Sequence, residues 1–406
     1  MKNISGSAST TFLFDVHRTG RAKFTVLSKF EKKIWEKFLP SYPPKCPEST
    51  PCFDEKGNMY FASHDGCFYS VNSENGDIRW IYKIGDRKTY GSPSITNDRV
   101  LIVSGDGVIF CFNTDGEVFW KKNIVLSREK NPVKRKMLNL ISNFCEHLPS
   151  RGNKSHVRCW SSPLIIENKV YITCYRTGLH CFDVFSGDLI FSVDLGFPYF
   201  HSSGVLLTIY NEIIAVSQTG IIFMVDKDSG KIKNKKNLNF GWKYNSWGNP
   251  STDPETGNIY LALSYSLSKS IVFCLDLNLD IIWKKHFPCA IRGSISIGYN
   301  DLLYFGGFNG IVYSIEKKCG KIAIQKTISK AKRALWTTPA IDENGNILIT
   351  SKISNKEGKV FCLDEGLNEI WGFHTGKCLS VPVIDKSGRV YFGTWGGSMV
   401  CLSTGD

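Results

Sequence analysis

The stretch GNMYFASHDGCFYSVNSENGDIRW (57–80) reads as a strand, a turn around Gly66, a second strand, an Asn-Gly turn at 75–76 and a third strand carrying Trp80. Short apolar runs bounded by Gly and Asn are the composition of hairpins rather than of helices. Related copies follow in RVLIVSGDGVIFCFNTDGEVFW (99–120), KVYITCYRTGLHCFDVFSGDLIF (169–191), EIIAVSQTGIIFMVDKDSGKI (212–232) and NIYLALSYSLSKSIVFCLDLNLDIIW (258–283). The series continues through LLYFGGFNGIVYSIEKKCGKI (302–322), NILITSKISNKEGKVFCLDEGLNEIW (346–371) and RVYFGTWGGSMVCLSTGD (389–406). Units of this length, each with four short strand signals, predict the blades of a β-propeller.

Each unit opens with a small-residue segment that leads into a short apolar strand. The segments are STPCF (49–53), GSPSI (91–95), SSPLI (161–165), SSGVL (202–206), GNPST (248–252), GSISI (293–297), TTPAI (337–341) and SVPVI (380–384), which predicts eight blades. The last unit ends at Asp406 after three strands, and KKIWEKF (32–38) matches the missing fourth. Pairing the two ends of the chain removes the open sheet edges that invite aggregation. The expected fold is therefore all-β, an eight-bladed propeller of four-stranded blades spanning 1–406 as a single domain and closed by an N-terminal strand. Trp35, Trp80, Trp120, Trp283 and Trp371 share one repeat position and are expected to dock one blade on the next. The turns DEKGN (54–58), DENGN (342–346) and DKSGR (385–389) lack the spacing and terminal Glu of a calcium loop and read as hairpin turns.

One unit is stretched. Seventy residues separate Tyr90 from Trp160, against 41 to 46 between equivalent positions elsewhere. The excess, residues 128–157 between the second and third blades, places Val133, Met137, Leu140, Ile141, Phe144 and Leu148 at helical spacing after Pro132. This predicts an amphipathic helix of about four turns.

The chain of 406 residues is 42% apolar and 21% charged, with a formal net charge of +13. That composition excludes disorder, and the charge favours anionic partners. Fourteen cysteines are scattered singly, with no C-x-x-C and no zinc-ligand spacing. No run approaches the 18 apolar residues of a membrane span, and MKNISGSASTTF lacks the apolar stretch of a signal peptide. The expectation is a reducing, cytoplasmic setting.

The repeats resemble the quinoprotein-type (PQQ-like) repeat, whose pattern is an S-P-x-I strand, a Y-x-G strand, an A-L-D strand and a G-x-x-x-W strand. Asp15, His17, Arg18, Thr19 and Gly20, followed by KKIW (32–35), also resemble the opening D-x-x-R-T-G…L-K-W of bacterial members. The resemblance spans residues 12–406 and implies the fold. It does not imply one activity, because members include dehydrogenases, outer-membrane assembly scaffolds and modules attached to adenylating enzymes. The dehydrogenases hold their quinone beside a ring formed by adjacent cysteines, with a calcium ion on acidic and amide side chains. This chain has no adjacent cysteines, so the expectation is no pyrroloquinoline quinone, no calcium and no other bound cofactor or metal.

In this family the first strand of each blade starts at the ligand-binding face, which implies that the residue before each small-residue segment stands at the channel mouth. In order these residues are Glu48, Tyr90, Trp160, His201, Trp247, Arg292, Trp336 and Leu379. Scaffold positions repeat one residue type, whereas this one diversifies while staying large or polar. Neighbouring positions add Arg158, Cys159, Phe200, Asn245, Arg333, Lys377 and Cys378, and the loops after the second strands add His64, Asp65, Arg176, Gln218 and Trp395. Aromatic walls with a few directed polar groups suit a ligand pocket. The 128–157 insertion emerges on the same face and is expected to act as a lid carrying Lys130, Lys134, Arg135 and Lys136.

Two readings follow. The first is a binding propeller that holds a small molecule, peptide or acidic protein through Tyr90, Trp160, Trp247, Trp336, Arg158, Arg176, Arg333, His64 and Trp395. The second is a metal-independent biosynthetic enzyme, with His201 as acid or base, Glu48 as its carboxylate complement and Arg292 as anion stabiliser. No nucleophile elbow, phosphate loop or dinucleotide fingerprint appears. Basic residues are spread over all blades apart from KNPVKRK (130–136), which argues against a nucleic-acid groove.

Overall fold

The computed structural model describes residues 10–41, 45–124, 159–174, 177–195, 204–238, 244–378 and 380–405. The predicted helix within 128–157 lies outside them. Eight antiparallel sheets form a ring of eight blades, as the repeat predicts. The first blade is typical, with strands Cys52–Phe53, Asn58–Ala62, Cys67–Asn72 and Ile78–Lys83 running from the axis outward. Its second and third strands are buried almost throughout, because a neighbouring blade covers each face, while the outermost strand alternates between exposed and half-buried residues. The fifth blade departs from the pattern, since both Tyr244–Asn245 and Ser251–Thr252 pair with Ile259–Tyr265.

The eighth blade takes three strands from the C-terminal end and its outermost strand, Lys29–Phe38, from the N-terminal end. This strand is three residues longer at its start than the sequence pattern predicts. It runs antiparallel to Ser398–Gly405, with Trp35 opposite Cys401.

Neighbouring blades are joined twice. At the rim, an indole N–H donates to a backbone carbonyl of the next blade: Trp35 to Ser73 at 2.9 Å, Trp80 to Thr114 at 3.1 Å, Trp120 to Val184 at 2.9 Å and Trp283 to Lys317 at 2.9 Å. Trp371 reaches Leu27, just ahead of the closing strand, at 3.3 Å. The accepting turn must come close to the indole. Gly187 sits there with φ +71°, and a Cβ on it would lie 2.5 Å from Trp120. Near the axis, hydroxyls bridge successive innermost strands. Ser92 Oγ accepts from Thr50 N at 2.9 Å, Ser162 Oγ from Ser92 N at 2.9 Å, Ser294 Oγ from Asn249 N at 2.9 Å and Thr338 Oγ1 from Ser294 N at 2.8 Å.

Residues 10–26 cross the end of the channel where the innermost strands finish. The carbonyls of Thr10, Val16, His17, Thr19 and Gly20 accept from Ile95, Leu207, Thr252, Ile297 and Ile341, one in each of five blades. Arg18, fully buried at φ +58°, holds this segment in place. Its guanidinium donates to the carbonyls of Phe12 (2.6 Å), Pro163 (3.2 Å) and Val205 (3.3 Å) and to Thr11 Oγ1 (2.9 Å). The channel is thereby closed at one end.

The rim contacts generate a stability prediction. Gly187→Ala combines a left-handed backbone with a clash against Trp120, and it should cost about 1–3 kcal/mol in chemical denaturation. Gly396→Ala, where a Cβ would meet only Thr394 Oγ1 at 3.6 Å, should be near neutral. Equal stability of the two variants would show that the turn yields to the indole.

Candidate functional site

Innermost strands crowd together at the open end of the channel. A Cβ on Gly91 would lie 2.6 Å from the carbonyl oxygen of Ser161, so the residue that begins each segment must be small. Bulk is carried instead by the residue just before it. Glu48, Tyr90, Trp160, Trp247, Arg292 and Trp336 accordingly line a single chamber of about 290 Å³. Below them Thr50, Ser92, Ser162, Asn249, Ser294 and Thr338 form a polar layer, and Phe12 of the N-terminal segment contributes from beneath.

The chamber has two unlike sides. On one, the rings of His64 and Tyr90 meet at 4.5 Å and those of Tyr90 and Trp160 at 5.0 Å. Glu48, the one acid lining the chamber among the described residues, places Oε2 3.1 Å from His64 Nε2. On the other side, the Arg292 guanidinium carbon lies 3.5 Å from the ring centre of Trp247, with Trp336 at 5.6 Å and Phe308 at 5.4 Å. Trp336 is braced by Phe308 at 4.8 Å and donates its indole N–H to the Arg333 carbonyl at 2.9 Å.

Arg292 is the charged group lining the chamber that the described residues leave unanswered: its Nε is buried without a hydrogen-bond acceptor among them, and no carboxylate among them forms an ion pair with it. Burial, and then the charge of Arg333, push its ordinary pKa down to about 10, as expected for a cation in a poorly solvated site beside a like charge. The same face carries Lys377, 3.4 Å above the ring of Trp395 and held below its usual pKa by burial and then by Lys352. Away from this face lysines find acids, as in Lys37–Asp77 at 3.0 Å, Lys236–Asp280 at 2.8 Å and Lys359–Glu369 at 2.6 Å. The site can stack a flat group and satisfy a negative charge.

The remaining candidate residues fall in other places. Arg333, Trp395 and His64 stand around the mouth without lining the chamber. Asp65 turns away to accept from the Tyr69 hydroxyl. Arg158, Arg176, Phe200, His201 and Leu379 lie outside the described residues. Sequence reasoning missed Phe12, which lies in the non-repeating N-terminal segment, and Phe308, although Phe308 occupies the same turn position as His64 and Trp395 and could have been found by that offset. It also missed the hydroxyl layer, whose signal was the recurring Ser and Thr of the opening segments. Cys46, Cys159 and Cys378 are all buried. Burial raises the Cys46 thiol, burial pushes Cys378 up to about 12, and a hydrogen bond with Cys174 together with burial raises Cys159.

Residues 28–139 match the PQQ-like repeat family described as outer membrane protein assembly factor BamB. BamB of Moranella endobia (strain PCIT) is 21% identical over 265 residues, which cover 56% of this chain and 62% of that protein. The chain thus spans less than two thirds of the curated relative it matches. The crystal structure of BamB from Moraxella catarrhalis superimposes with a TM-score of 0.66 at 13% identity, covering 92% of this chain and 99% of that one. The computationally designed protein Ika8 gives 0.63 at 10% identity, covering 92% and 100%. Quinohemoprotein alcohol dehydrogenase from Comamonas testosteroni gives 0.50 at 11% identity, covering 86% and 77%. Likenesses at these identities are likenesses of fold, and fold alone does not carry function. Among the described residues no helix is long and apolar enough to cross a membrane.

Thiol labelling tests the burial pattern. Cys319 is the one exposed cysteine of the thirteen described, so mass-mapped alkylation of native protein should modify it well before Cys46, Cys159 or Cys378. Rapid labelling of any of those three would contradict the packing of the chamber wall.

Proposed function

We propose that this PQQ-like repeat propeller works by recognition, its chamber receiving an acidic side chain presented by a protein partner. The observation that carries the reading is Arg292, a half-buried cation packed against Trp247 with a buried Nε that no acceptor among the described residues reaches. An entering carboxylate would supply that acceptor through a charge-assisted hydrogen bond. The chamber of about 290 Å³ has room for one or two side chains and lies at the lower end of small-molecule pockets, which run from about 300 to 1,000 Å³. Trp247 and Trp336 supply the kind of aromatic surroundings in which binding hot spots are found, and Arg333, Lys352 and Lys377 would steer an acidic segment toward the mouth. Relatives named as assembly factors agree with a protein-binding role. Glu48 faces His64 in the wall, which suits it to structure more than to acid–base work.

The test is calorimetric titration with glutamate-rich peptides and their glutamine counterparts. Arg292→Ala should weaken the glutamate-rich peptides about 30-fold or more, the effect of losing roughly 2 kcal/mol from a desolvated charge pair. Arg333→Ala should cost only a few-fold and chiefly at low salt, as a rim charge does. Equal binding of glutamate and glutamine peptides, or an Arg292→Ala variant that binds like the wild type, overturns the proposal.

A further inference from the structure

On the side of the chamber opposite the arginine, two segments of the first blade are locked together by their backbones. His64 N–H donates to the Cys46 carbonyl at 3.0 Å, and Ser63 Oγ donates to the carbonyls of Lys45 and Cys46, both at 3.2 Å. The lock brings the Cys46 thiol, a Glu48 carboxylate oxygen and a His64 ring nitrogen within 4.8 Å of one another. The His64 side chain is only 8% exposed, and its Nε2 makes no hydrogen bond. Glu48 Oε2 lies 3.1 Å from that nitrogen, yet the angles for a hydrogen bond between them are absent. Two polar atoms so close but not bonded to each other are arranged like ligands facing a common centre.

We propose that Cys46, Glu48 and His64 form a binding site for a single divalent transition-metal ion, with zinc the best match to the ligand set. Metal–ligand bonds of about 2.0–2.3 Å set neighbouring ligand atoms about 3–4 Å apart; the Glu48–His64 distance of 3.1 Å falls in that range, and the Cys46 thiol lies within 4.8 Å of both. Thiolate and imidazole together select zinc or its neighbours in the first transition row over calcium and magnesium, which take oxygen ligands. The edge of Tyr90 fixes the imidazole at 4.5 Å, and the backbone lock fixes the two chain segments, so little reorganisation is needed on binding. Three protein ligands leave a fourth position of a tetrahedral ion open. The spacing C-x-E followed by a histidine sixteen residues on belongs to no zinc signature, which is why the sequence pattern predicted no metal. The site uses neither Arg292 nor Trp247 and Trp336, on which the proposed function rests, so either can fail alone.

The experiment uses the full chain, freed of any affinity tag and stripped with a chelator, titrated with Co²⁺ and then Zn²⁺. The expected result is one equivalent of cobalt per chain with a thiolate-to-cobalt charge-transfer band that zinc abolishes. Cys46→Ser should remove the band, Glu48→Gln should weaken metal affinity more than about 10-fold, and Cys319→Ser should change neither. Absence of the band in the wild-type chain, or its survival in Cys46→Ser, overturns the proposal. The wild-type titration decides the matter even if a variant does not fold. Glutamate-peptide affinity measured with and without Zn²⁺ keeps this test separate from that of the arginine clamp.

Discussion

The antiparallel pairing of Lys29–Phe38 with Ser398–Gly405 is the contact on which the rest of the structure depends. A blade has two apolar faces and can bury neither by itself, so every blade relies on a neighbour and the ring is stable only when closed. Closure with a strand from the N-terminal end has a second consequence. The residues ahead of that strand belong to no blade, and residues 10–26 run across the channel instead, bonding to the ends of innermost strands in five blades. Closing the ring and closing one end of the channel are therefore done by one continuous segment. Phe12 lies in the chamber for this reason.

Two arginines, Arg18 fully buried and Arg292 half-buried, separate scaffold from site. In Arg18 and Arg292 alike, burial brings the pKa down to about 10. Arg18 answers that cost with three backbone carbonyls and a hydroxyl, and Asp15 lies near enough to favour its charge. Arg292 has aromatic rings for company and an Nε without an acceptor. A polar group that a fold buries and leaves unsatisfied calls for an explanation, and a missing anionic partner is the simplest one for a cation facing a chamber. The same reasoning singles out His64 Nε2, whose nearest polar neighbour is placed as a fellow ligand would be.

Much of the fold was legible because it is periodic. Eight opening segments counted the blades, the five outer tryptophans marked the rim contacts, and KKIWEKF (32–38) pointed to the closing strand. The same periodicity located six residues of the chamber, since an offset fixed in one blade carries over to the others. What the repeat does not encode could not be read from it. Arg18 and Phe12 act through a unique segment whose partners are backbone carbonyls far away in sequence. Cys46 meets His64 only because a hairpin folds back on the entry to the first blade, whereas Phe308, which packs on Trp336, shares the turn position of His64 and Trp395 and was legible in the repeat. Arg333, three residues before the offset, and Trp395, in a loop between second and third strands, stand at the mouth instead of lining the chamber.

The central claim is that Arg292 is kept free for an acidic group from outside. A crystal structure of the protein with a bound glutamate-rich peptide tests it most directly. The account predicts a glutamate carboxylate within hydrogen-bonding distance of the Arg292 guanidinium, inside the chamber and flanked by Trp247 and Trp336. A peptide seated along the outer edges of the blades, with no side chain entering the chamber, would contradict it.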